Sequence, residues 1–154
     1  MKLWEEHIDF ENSIGPWLGK TSKIADYYLH EILLDQGLDL SKEQMITLKK
    51  LHDEDGLNQN ELAFLTFRDK SSLARLLSKM EKKNYIKRKQ SKEDKRINQV
   101  FLTNEGRAVF KQSKPAIRKF ITAMEQNITK EEKKQIIGIL KKVQFNFTQE
   151  KAAL

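Results

Sequence analysis

At 154 residues the chain is long enough for one domain with a real core and too short for two comfortable ones. Apolar residues make up 38% and charged residues 33%, no apolar run nears the ~20 residues of a membrane span, and there is no cysteine, so a transmembrane helix, disulfides, thiolate metal sites and thiol-based redox sensing are excluded. The net charge of +7 is uneven: residues 1–65 carry −7, residues 66–103 carry +8 and residues 104–154 carry +6.

The basic middle segment fits a polyanion-binding face, and equally a solvated lysine-rich surface. The opening MKLWEEHIDF is acidic and lacks an apolar centre, so it reads as no signal peptide and a cytoplasmic protein is expected. From Asn12 to about Leu34, Ile14, Leu18, Ala25, Tyr28 and Ile32 recur at helical spacing, with Trp17 and Ile24 flanking them. This predicts one long amphipathic helix, ended by Gly37, whose stripe must meet a partner.

Ser41-Lys42-Glu43-Gln44 is a capping box, with Leu40 and Met45 as its hydrophobic staple, and it opens a helix to about Glu54. Asp55-Gly56 breaks that helix, and Asn58-Gln59-Asn60-Glu61 starts a short one that ends by Thr66, because Asp69 caps the next. Between Asp69 and Lys83, Leu73, Leu76, Leu77 and Met80 share one face, while Ser71, Ser72, Arg75 and Lys79 occupy the opposite one. Asn84 suits the left-handed residue that stops a helix. Tyr85–Lys89 and Ile97–Leu102 read as two strands of a hairpin around a charged loop.

A helix from Asn104 to about Gln126 follows, with Val109, Phe110, Ile117, Phe120, Ile121 and Met124 as its stripe and a kink expected at Pro115. A third capping box, Thr129-Lys130-Glu131-Glu132, opens a last helix expected to bury Ile136, Ile137, Leu140 and Val143, and the tail from Thr148 is expected to fray.

A short helix, a tight turn, a second helix with a hydroxyl- and cation-bearing face, and a basic hairpin make a winged helix-turn-helix. The second helix of such a module enters the major groove. Ser71 and Ser72 suit phosphates or base edges there, Arg75 has the bidentate fork that reads guanine, and Lys79 is placed for phosphate. Lys92, Lys95 and Arg96 on the loop extend along the duplex, and an arginine at a loop tip suits a narrow minor groove.

The stretch DKSSLARLLSKMEKKNYIKRKQSKEDKRINQVFLTNEGRAVF resembles the signature region of the MarR family of bacterial transcription regulators. The likeness lies in the leucine- and lysine-rich end of the recognition helix, the wing Asp94-Lys95-Arg96 and the joint Leu102-Thr103-x-x-Gly106, and it extends more weakly over residues 10–147. Asn84 stands where many relatives have glycine. The resemblance implies a mainly α fold with a small β-hairpin wing, in one domain over 1–154. Within it, 40–103 would form the winged module (helix-turn-helix 58–83, wing 85–102), 10–36 and 104–147 the dimerisation helices, and 148–154 a frayed tail.

It further implies an obligate homodimer on a pseudo-palindrome of double-stranded DNA, with Arg96 as the minor-groove arginine and Asp94 as the carboxylate that holds it. Small aromatic or phenolic effectors bind many relatives between the dimerisation helices and the winged module, so Trp17, Tyr27 and His30 are candidate lining residues, against the plainer reading of core and dimer packing. The spacing of His7, His30 and His52 matches no zinc motif, and no phosphate loop, carboxylate pair or nucleophile elbow occurs. No cofactor, metal, membrane or enzymatic activity is therefore expected. The chain reads as a repressor released by a ligand. The alternatives are a winged module that binds an acidic protein partner, and a small-molecule carrier that binds no DNA.

Overall fold

The computed structural model describes residues 7–152. In chain order these form α1 (Ile14–Asp35), α2 (Lys42–Asp53), α3 (Gln59–Leu65), α4 (Lys70–Lys82), β1 (Ile86–Gln90), β2 (Asn98–Leu102), α5 (Asn104–Met124) and α6 (Lys130–Ala152). The fold is mainly α, with one antiparallel hairpin in which Ile86 pairs with Leu102 and Gln90 with Asn98. The chain divides into two compact units, up to Phe120 and from Ile121 onward.

In the first unit, local chemistry sets the helix ends. Ser41 and Gln44 cap α2 reciprocally, and Asn58 and Glu61 do the same for α3, so each box satisfies two orphan N–H groups. Three helices stop on a left-handed residue. Gly37 (φ 69°) follows α1, with Leu38 N–H donating to the Leu33 carbonyl and Gly37 N–H to Leu34. Asn84 (φ 61°) closes α4 with the same two bonds, from Tyr85 to Met80 and from Asn84 to Glu81. Phe67 (φ 52°) closes α3 in the same way, and a large aromatic is an unexpected residue in that conformation.

The core of this unit gathers Leu48 and Leu51 of α2, Leu62 of α3, Leu73, Leu77 and Met80 of α4, Ile86 and Val100 of the hairpin, and Val109, Phe110 and Ala116 of α5. Each such large side chain, fully buried, stabilises the fold by about 1.5–3 kcal/mol. α1 contributes through Leu29 and Leu33, which the expected stripe left out. Of that stripe, Ile14, Leu18 and Tyr28 are exposed and Ile32 is only half-buried. The helix carries two apolar faces, and only one meets this unit's own core.

The linker between α2 and α3 adds an edge to the hairpin that the sequence reading did not foresee. Gly56 N–H donates to the Val100 carbonyl, Val100 N–H to Leu57, and Asn58 bridges Gln99. Asp55 anchors this edge by accepting from Leu102 N–H at 2.9 Å and from Arg107 at 3.0 Å. β1 and β2 each begin one residue later than expected, at Ile86 and Asn98.

At the joint into α5, Thr103 Oγ1 donates to the Asn84 carbonyl and accepts from Gly106 N–H. A Cβ on Gly106 would lie 2.0 Å from the Tyr85 carbonyl oxygen, so the hairpin and α5 approach as closely as they do only because this residue has no side chain. Pro115 sits inside an α5 that continues through it as one element, ending at Met124 rather than Gln126.

In the second unit, the capping box of Thr129 and Glu132 opens α6 as expected, and Lys133 pairs with Glu125 at 3.0 Å. The expected burial by α6 is corrected: Ile136 and Ile137 are exposed, and Leu140 and Val143 are only half-buried. Within this unit, no described residue covers the apolar stripe of α6. α6 runs through Thr148, where fraying was expected, to Ala152; residues 153–154 of that tail lie outside the described residues.

Candidate nucleic-acid interface

α4 has one buried face and one exposed face. Leu73, Leu76, Leu77 and Met80 are buried, while Ser71, Arg75 and Lys79 are exposed and Ser72 is half-buried. Asp69 caps the helix by accepting from Ser72 N–H at 2.8 Å. Arg75 and Lys79, with Lys82 beyond them, form no ion pair with another described residue, so their charge stays available to an incoming anion. A cleft of about 740 Å³ runs between this face and the start of α2, with Arg68, Arg75, Lys79, Lys82 and Lys83 on its walls against the single carboxylate of Glu43.

Other cations of the segment are structural. Arg88 of β1 is tied to Glu81 of α4 at 3.1 Å and reaches Ser78, which fixes the hairpin to α4. That pairing holds the Glu81 carboxyl below its ordinary value. Lys83 binds Asp39 at 2.9 Å and the buried Gln44 at 3.0 Å. Lys89 lies over the Phe101 ring at 5.8 Å.

The wing loop is built rather than slack. Ser91 N–H donates to the Ile97 carbonyl and Ile97 N–H to Asp94, while the Ser91 hydroxyl accepts from the N–H groups of Glu93 and Asp94. This frame brings Asp94 to Arg96. Asp94 Oδ1 accepts from Arg96 N–H and Nε, and Oδ2 accepts from Nη2 at 3.1 Å. The side-chain hydrogen bonds from Arg96 hold the Asp94 carboxyl below its ordinary value and push the Arg96 guanidinium up. The Arg96 side chain is nevertheless 90% exposed, so the carboxylate orients the guanidinium without burying it. Lys92 and Lys95 are exposed on the same loop.

Trp17, Tyr27 and His30 are all exposed residues of α1. His30 lines a cavity of about 370 Å³ with Leu33, Leu38, Leu40 and Lys83. Trp17 is exposed and its indole N–H donates to the Glu11 carbonyl, and Tyr27 packs edge-on against Tyr28 with ring centroids 5.7 Å apart.

Arg68 was missed from the sequence. Its Nη2 donates to Ser72 Oγ at 2.6 Å, but Arg68 lies in the turn ahead of α4, so the four-residue spacing is not a helical pair and gave no signal.

Comparison with known proteins agrees with this geometry. The sequence profile of the MarR family matches residues 40–97. An HTH-type transcriptional regulator of Staphylococcus haemolyticus, SarZ, is 30% identical over 107 residues, which cover 68% of this chain and 70% of that protein. YdgJ of Bacillus subtilis, an uncharacterised HTH-type transcriptional regulator, is 30% identical over 110 residues, covering 71% of this chain and 66% of its own length. Among solved structures, a mutant MarR from E. coli complexed with operator DNA superposes with a TM-score of 0.80 at 26% identity, over 88% of this chain and 99% of that one. With the helix order, the capped recognition helix and the arginine-bearing wing already in place, the profile and these relatives leave one conclusion: the chain belongs to the MarR family of DNA-binding transcription regulators.

Proposed function

We propose that the protein binds double-stranded DNA sequence-specifically as a homodimer on a pseudo-palindromic operator, and that it acts in the cytoplasm as a repressor released by a small aromatic or phenolic ligand. The observation that carries the DNA reading is the wing: Asp94 grips Arg96 with three hydrogen bonds, yet the guanidinium stays 90% exposed. An ion pair this exposed adds little to stability. It does fix a cation in one orientation for a ligand, and a duplex groove is the ligand that α4 beside the hairpin suits. Ser71, Ser72, Arg75 and Lys79 would face the major groove, with Lys92 and Lys95 on backbone phosphates. That the MarR of E. coli has been captured on operator DNA supports the same partner here.

Dimerisation is supported by exposed apolar residues on α1 (Ile14, Trp17, Ile24, Tyr28), late α5 (Ile121, Met124) and α6 (Ile136, Ile137, Ile139). Effector binding is supported by the His30 cavity, whose size is in the range of small-molecule sites. An acidic protein partner would want aromatic anchors on the 71–79 face, and that segment contains none. Selection from random duplex DNA at fixed salt tests the proposal. Enrichment of a two-fold-related site is expected, and a library that stays random would contradict it.

A further inference from the structure

Arg68 stands in the turn between α3 and α4, and its backbone is pinned: its N–H donates to the Ala63 carbonyl at 2.9 Å. The side chain is half-buried, and its guanidinium forms no ion pair with another described residue. Instead Nη2 donates to Ser72 Oγ at 2.6 Å, while Nε is buried with no hydrogen-bond partner among the described residues. Keeping a buried N–H unpaired costs free energy, and a guanidinium spent on a neutral hydroxyl recovers less than one spent on a carboxylate. The arrangement is therefore poor as a stabilising device, and its consequence lies at Ser72.

A serine hydroxyl has one proton to give and two lone pairs. With Arg68 donating into one lone pair, the Ser72 proton is directed away from the guanidinium, and the adjacent positive charge makes that proton a better donor and the remaining lone pair a poorer acceptor. The Ser72 backbone is held as well, since its N–H is committed to Asp69. We propose that Arg68 is a positioning residue that fixes Ser72 as a hydrogen-bond donor toward the operator, so that Ser72 selects an acceptor there: the O6 or N7 of guanine, the N7 of adenine or the O4 of thymine, rather than the amino group of cytosine. This rests on the DNA-binding reading above and adds the polarity of one contact.

The test uses the full-length protein and a duplex obtained by selection with the wild type. Failure of the wild type to select any site would sink the DNA-binding reading itself, and the proposal with it. Given a site, Ser72→Ala should lose about five- to tenfold in affinity and relax preference at one position per half-site. Arg68→Ala should lose a similar factor at the same position, and the double variant should lose no more than either single one. Arg68→Lys, which keeps a donor, should recover part of the loss. The salt slope of Arg68→Ala should equal that of the wild type, because Arg68 acts through Ser72 and not on a phosphate. Additive losses would overturn the proposal, as would a slope lowered by about 0.9, the mark of a direct phosphate contact. Should Arg68→Ala fold poorly by circular dichroism, Ser72→Ala still decides: a relaxed position at which the wild type prefers cytosine on the contacted strand refutes the donor role, and one that prefers an acceptor supports it.

Discussion

Asp94 has two effects of opposite sign on DNA binding. In the proposed complex its negative charge would repel the duplex, while its grip on Arg96 would orient the cation set against the groove. If orientation dominates, Asp94→Asn lowers affinity for the selected site although it removes a negative charge; tighter binding would refute the orienting role. The pairing depresses the Asp94 pKa, so its contribution is complete above the ordinary carboxylate value of 3.8 and is lost only as pH falls through a value below that. A titration of DNA affinity between about pH 5 and 8 should therefore show no component from this pair. Arg75 plays a different part, since it has no acidic partner among the described residues and faces outward from α4. Arg75→Ala should cost about 1–3 kcal/mol on the specific site and relax one base position, as measured by competition with single-base variants. The Asp94–Arg96 pair and the outward position of Arg75 were legible in the sequence because their surroundings are local. The Arg68–Ser72 bond was not, because it depends on a turn geometry that brings the guanidinium onto Ser72.

At the scale of elements, most boundaries follow from short-range chemistry, and so they could be read in advance. The three capping boxes and the stops at Gly37 and Asn84 all formed where their residues predicted. Two features could not be read this way. The edge contributed by Gly56 to Asn58 depends on pairing with residues more than forty positions away. The core face of α1 was not read because helical periodicity reports that a stripe is apolar, not which body it meets; Leu29 and Leu33 meet this unit's core, while Leu18 and Tyr28 of the stripe expected to meet a partner are exposed. The joint between the wing and α5 gives the clearest test at this scale. Gly106→Ala places a methyl against the Tyr85 carbonyl, so the chain must shift the wing or α5. A loss of about 1–3 kcal/mol or more is expected by denaturant unfolding, as for overpacked cores. An unchanged midpoint would mean that the joint yields freely.

Over the whole chain, the densest positive charge and most of the exposed apolar surface fall in different places. Residues 66–103 hold twelve Lys/Arg against four Asp/Glu, while exposed aromatic and aliphatic side chains are most numerous on α1, late α5 and α6, with Phe64 and Phe67 exposed around the turn between α3 and α4. Apolar surface left exposed on the terminal helices fits the symmetric pair proposed above. Leu140→Asp should therefore shift the mass seen by sedimentation from two chains toward one chain of 18.1 kDa, or cause aggregation, and should weaken operator binding without altering a DNA-facing residue. A variant that remained dimeric and bound normally would move the interface away from α6.

The decisive measurement is affinity for the selected duplex and for a scrambled duplex, side by side across a range of salt. A steep fall of affinity with salt is expected for both, reflecting the proposed phosphate contacts by the wing and α4. A preference for the selected site of at least about a thousandfold at physiological salt is expected as well, with half-sites about 10–10.5 base pairs apart or a multiple of that. Equal affinity for the two duplexes, or binding that ignores salt, would contradict the proposed function.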